Sequence, residues 1–106
     1  MPKLVILGTS DAVPEELHDN THMLLLGEER QVLVDCASNP MMRLRKIGVD
    51  PNSITDIIMT HFHPDHVSGV PLLLMNMMLL GRDKLLNLYG LEHTVRLMEQ
   101  FLDAFD

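Results

Sequence analysis

The chain has 106 residues, 46% of them apolar, and a formal charge of −7. That length permits one small domain with a modest core, and the acidic balance argues against a surface that grips nucleic acid. The single cysteine excludes an intrachain disulfide, the opening run Met1 to Gly8 is too short for a signal peptide, and the longest apolar stretch, Pro71 to Leu80, is too short to cross a bilayer, so a cytoplasmic protein without membrane contact is expected.

Lys3 to Leu7 reads as a first strand, stopped by Gly8. Thr9 to Asn20 is a polar loop containing Pro14, whose short side chains and backbone N–H groups are candidates for facing an anion. His22 to Leu26 and Gln31 to Asp35 form a hairpin across the longer turn Gly27-Glu28-Glu29-Arg30. His18 and His22 have no partner at ligand spacing and are expected at the surface or an edge. Asp35 ends the apolar run Val32-Leu33-Val34, where a carboxylate needs a hydrogen bond or a metal. Cys36 has no base near it in sequence and reads as a small buried residue. Pro40 to Ile47 reads as a helix with Asn39 as cap, Pro40 at its first position and Gly48 as its stop. Met41, Leu44 and Ile47 form its inward face.

Asp56 to Thr60 is a short apolar run that reads as a buried strand. After the segment that follows it, Val67 to Val70 is a turn and Pro71 opens a helix that is apolar nearly all round to Leu80. Such a helix is buried on both sides or sits in an interface. Leu85 to Tyr89 is a fifth strand. Leu91 to Phe105 is a last helix, with Leu91, Val95, Met98, Leu102 and Phe105 on one face and Glu92-His93 as a charged surface cap. With 9 Met and 3 Phe beside 1 Tyr, the core should be aliphatic and adaptable. Five strands and three helices, alternating in the second half, predict an α/β fold in one domain, a mixed sheet with helices on one face.

The chemistry concentrates in Thr60-His61-Phe62-His63-Pro64-Asp65-His66. Just past a strand, side chains at i and i+2 point the same way, so His61 and His63 converge. Pro64 forces a turn that brings Asp65 and His66 beside them. Imidazoles with a carboxylate suit zinc, manganese or ferrous iron.

These residues resemble the H-x-H-x-D-H signature of the metallo-β-lactamase superfamily. The resemblance implies that His61 and His63 bind one metal and that Asp65 and His66 bind a second. Leu7-Gly8-Thr9-Ser10-Asp11-Ala12-Val13-Pro14 is similar to the loop that opens the ribonuclease Z-like branch. Val34-Asp35-Cys36 is similar to its first motif, which makes Asp35 the group that orients a ligand histidine. Ser68-Gly69-Val70-Pro71 and Leu88-Tyr89-Gly90 also fit that branch. The similarity covers most of the chain yet corresponds to the N-terminal half of the family's domain, one half of an αββα sandwich. One departure is Ala37-Ser38-Asn39, where the ribonucleases usually have Gly-Glu-Gly.

The family site also takes a later His, a bridging Asp and a final His. After His66 the chain offers only His93, Asp83, Asp103 and Asp106, and His93 does not match those motifs. The expected protein is therefore a truncated half, residues 1–106, that self-associates as a homo-oligomer or pairs with a complementing C-terminal half. When complete it would be a metal-dependent phosphodiesterase, with zinc the first choice of ion and Asp65 serving as both ligand and proton acceptor. The chain alone is expected to be inactive. RNA and small phosphoesters are comparable substrates. Ester, thioester or lactone hydrolysis, and a non-catalytic self-associating fragment, are the alternatives.

Overall fold

Apolar alternation along the strands sets five of them side by side in chain order. They are β1 (Lys3–Gly8), β2 (His22–Leu26), β3 (Gln31–Val34), β4 (Asp56–Ile58) and β5 (Asn87–Tyr89). The pairs β1–β2 and β2–β3 are antiparallel. The pairs β3–β4 and β4–β5 are parallel, joined by helical crossovers, as parallel pairs require. Helix α1 (Pro40–Lys46) lies between β3 and β4, α2 (Pro64–Val67) and α3 (Val70–Leu79) between β4 and β5, and α4 (Glu92–Asp103) follows β5. The computed structural model describes residues 1–10, 12–13 and 19–105. Among these residues, no helix is long and apolar enough to cross a membrane.

The strand period of two divides the sheet into a covered and an open face. Leu24, Leu33 and Ile57 are fully buried and share one core with Leu44 of α1, Leu73 and Met77 of α3, and Met98 of α4. Each such side chain stabilises the fold by about 1.5–3 kcal/mol. On the other face, Leu4 pairs with Leu25 and Ile58 with Tyr89, and all four are exposed, as is Ile6. The mixed sheet with helices on one face is thus the architecture found.

Several boundaries differ from the sequence reading. The segment after His63 is a one-turn helix rather than a plain turn, because Pro64 fixes the first helical φ and Asp65 lies in the first turn, where a carboxylate favours the helix dipole. Strand β4 stops at Ile58 because Thr60 N–H turns away to the Asp35 carboxylate. Strand β5 starts only at Asn87, since the Arg82 guanidinium holds the carbonyls of Lys84, Leu85 and Asn52 in a loop. Asn39 stands at the cap position of α1 without a side-chain capping bond, and Ile47 falls beyond the helix and is exposed. Gly48 does stop α1, with φ of +73°, and Gly81 stops α3 in the same way, with φ of +82°. Helix α4 turns its expected face inward within its own length, with Met98 in the core and Val95 and Leu102 packed against it, but it ends short of Leu91 and Phe105. Those two are exposed, whereas Thr94 is buried, because the bare Gly90 lets the Thr94 methyl come down on the sheet edge.

Candidate metal centre

The parallel pairing of β3 with β4 sets Val34 beside Ile58, so both chains leave the sheet at the same edge. Asp35 follows with φ of +62°, a left-handed conformation that Asp tolerates better than most residues. Its N–H still bonds Ile58 O at 2.8 Å. Its carboxylate, 4% exposed, is filled by donors from the next loop. Thr60 N–H reaches Oδ1 at 2.8 Å, and the Thr60 hydroxyl lies 2.9 and 2.8 Å from the two oxygens. His66 Nδ1 lies 2.7 Å from Oδ2. Cys36 N–H then bonds His66 O at 2.7 Å, and Gly69 N–H bonds Cys36 O at 2.8 Å. A Cβ at Gly69 would meet Cys36 O and the Pro40 ring within 3 Å, so glycine is what permits this lacing.

The loop brings the predicted residues together. The rings of His61 and His66 are 3.9 Å apart between centroids, and those of His61 and His63 are 4.5 Å apart. Thr60 Oγ1 lies 3.0 Å from His61 Nδ1. His66 Nε2 lies 3.1 Å from Asp65 Oδ2. His63 is exposed at the cap of α2. The donors do not yet point at one spot: among the described residues, no three His, Cys, Asp or Glu groups form a set that would hold a metal. In kind, imidazole and carboxylate fit a borderline divalent ion; in number, they supply a partial shell. His93 lies apart in sequence, on the first turn of α4 beside Arg96.

His22 corrects an expectation. It is fully buried, not at the surface, with Nδ1 2.7 Å from Asn20 O. Its Nε2 has no partner among the described residues. Burial holds its pKa below the ordinary histidine value, and Arg43 adds to this against the pull of the Asn20 bond and nearby acids. The period of two carried the signal, since His22 shares its face with the buried Leu24. Beside it, Asp19 accepts from Ser38 Oγ at 2.6 Å, Asn20 N–H at 2.8 Å and Arg43 Nε at 3.0 Å. Burial pushes this carboxyl up, but those donors outweigh it and hold it below the usual range. Ser10 N–H is taken by Asp19 O and so is not free for an anion. The rest of that expectation, with Asp11, Pro14 and His18, lies outside the described residues. Cys36 is buried as expected, and burial raises its thiol pKa far above the ordinary value.

A mixed sheet with helices on one face, and a His-rich loop at its parallel edge, make this half of a metallo-β-lactamase αββα sandwich. The chain belongs to the family described as Anti-Pycsar protein Apyc1, whose model matches residues 2–104. It is similar to a ribonuclease Z of Methanococcus maripaludis, 35% identical over 102 residues, which cover 96% of this chain and 33% of that protein. Human tRNase Z, short form, superposes with a TM-score of 0.83 at 27% identity, covering 98% of this chain and 40% of that one. The metallo-beta-lactamase fold protein YhfI from Bacillus subtilis shares the fold, with a TM-score of 0.78 at 20% identity and coverage of 93% and 42%. The chain thus spans about a third of the length of the curated relatives it matches.

Proposed function

We propose that this chain supplies the histidine-rich half of a metal-dependent hydrolase that cleaves phosphodiesters or related small phosphoesters. The observation that carries the reading is the buried Asp35, which takes His66 by Nδ1 at 2.7 Å and leaves Nε2 turned toward Asp65. A carboxylate behind a histidine is how ligand imidazoles are fixed and made more basic. Following the family resemblance, His61 and His63 would hold one ion, and Asp65 and His66 the other, with zinc the expected metal and manganese or iron compatible with the same donors. Such ions, when bound, polarise a phosphoryl oxygen and lower the pKa of bound water to about 7. Asp65, half-buried beside His66, would accept a proton there. The remaining ligands would come from a complementing half seated on the open sheet face. An RNA substrate would also need cationic surface from that half, because this one carries −7. Elemental analysis of zinc-loaded protein tests the assignment: His63→Ala should lose most of the metal, and unchanged stoichiometry would sink it.

A second reading, a non-catalytic self-associating module, draws on a different observation. Leu72, Met75 and Met78 of α3 are exposed and, with Phe101 and Phe105, line an open groove of ≈ 460 Å³. A metal content of zero together with tight association in sedimentation would favour it.

A further inference from the structure

We propose that Thr60 is a positioning residue: its hydroxyl relays the Asp35 carboxylate to His61, so that one buried acid holds a proton on Nδ1 of two histidines. The consequence for metal binding rests on the hydrolase reading above, whereas the relay itself stands on hydrogen-bond bookkeeping. The Thr60 hydroxyl has a single proton. Both Asp35 oxygens lie within 2.9 Å of it, and an ionised carboxylate only accepts, so the proton points there. Toward His61 Nδ1, at 3.0 Å, Thr60 Oγ1 can then only accept. His61 must carry its proton on Nδ1, which leaves a lone pair on Nε2. His66 is fixed the same way, but directly, by donating Nδ1–H to Asp35.

His61 thus presents Nε2 with its lone pair, whereas His66 turns Nε2 toward Asp65 Oδ2 at 3.1 Å, and the two rings sit 3.9 Å apart. The relay exists because β3 and β4 run parallel, which puts the last residue before the motif against the acid that ends the neighbouring strand. Thr60 N–H bonds the same carboxylate, so the backbone would stay in place if the hydroxyl were removed. Without the hydroxyl, His61 has no acceptor at Nδ1 and returns to the Nε2–H form that free imidazole prefers in water. That form offers no lone pair at Nε2.

The test is long-range proton–nitrogen NMR of the imidazole rings in the metal-free 106-residue chain, at about pH 8. Wild type and Thr60→Ser should show His61 and His66 both protonated at Nδ1. Thr60→Val should move His61 alone to the Nε2–H form. Asp35→Asn should disturb both. A wild-type His61 protonated at Nε2, or a Thr60→Val spectrum in which His61 is unchanged or both rings move together, overturns the relay. A zinc titration of the same proteins separates the two readings. Thr60→Val should bind zinc about 10-fold more weakly, with Thr60→Ser restored. A tautomer change with unaltered zinc affinity leaves the relay standing and removes His61 from the ligand set.

Discussion

At the scale of single residues, Asp35 carries more than its position in an apolar run suggested. It holds a left-handed backbone conformation, which costs a non-glycine residue about 1–2 kcal/mol. That conformation turns its carboxylate from the sheet toward the donors of residues 60–66. Asn keeps the shape and the left-handed tolerance but loses the charge. Asp35→Asn should therefore keep its circular dichroism spectrum while zinc affinity falls about 10- to 100-fold. A wild-type affinity in that variant would show that Asp35 does not organise the ligands. Asp35 was legible because an acid ending a buried strand requires a partner. The part of Thr60 was not, since it depends on which strand lies alongside. His22 was misjudged by asking for neighbours at ligand spacing instead of following the strand period. Its burial has a pH consequence. A histidine with a depressed folded pKa is neutral in the fold, so the stability it contributes is present above about pH 6.5 and is lost as the pH falls toward the folded value. Urea midpoints should drop between about pH 7 and pH 5, and His22→Gln should flatten that slope. Equal slopes in the two proteins would rule His22 out as the source.

At the scale of elements, α3 shows what an all-apolar pattern leaves open. With no polar face, the sequence predicts a helix there without saying which side meets the sheet. The structure decides it: Val70, Leu73 and Met77 face the core, while Leu72, Met75 and Met78 look outward. Two adjacent methionines then become opposite experiments. Met77, 1% exposed, would place a carboxylate in the core on change to Glu, and the variant should fail to give a cooperative unfolding transition. Met78, 67% exposed, should accept the same change with the fold intact. If the outer side of α3 is a self-association surface, Met78→Glu should shift wild-type oligomers toward monomer in sedimentation velocity. A wild type that is already monomeric would remove that role. The short strands were harder to delimit than the helices for a related reason. Strands β4 and β5 are curtailed by side-chain bonds from Thr60 to Asp35 and from Arg82 to three carbonyls, which no local pattern encodes.

At the scale of the whole molecule, one partial ligand set and one open face both bear on the complementing half proposed above. The motif order made the half-fold legible, because strand, acid, helix, strand and His-rich loop follow one another as the topology requires. What covers the far side of the sheet was not legible, since that face reads as ordinary strand alternation whichever partner it meets. Leu4, Ile6, Leu25, Ile58 and Tyr89 form apolar surface on the side that no helix covers among the described residues. Removing such surface from water is worth about 25 cal/mol per Å², so a second half-domain placed there gains stability as it brings further ligands to the edge held by Asp35. Two-metal hydrolysis needs both oxygens of the displacement clamped, and a partial shell does not provide that clamp. The 106-residue chain alone should therefore turn over a chromogenic phosphodiester at no more than a trace rate with zinc or manganese. Adding the C-terminal half of a ribonuclease Z-like relative, fused or as a separate polypeptide, should produce metal-dependent activity that chelator abolishes. In that complex Asp65→Ala should collapse the rate, while the charged Leu25→Glu on the open face should block assembly and leave the metal loop unaltered. Robust turnover by the chain alone that resists chelator would overturn the account of the site. Assembly unaffected by Leu25→Glu would show that the second half docks elsewhere than on the bare sheet.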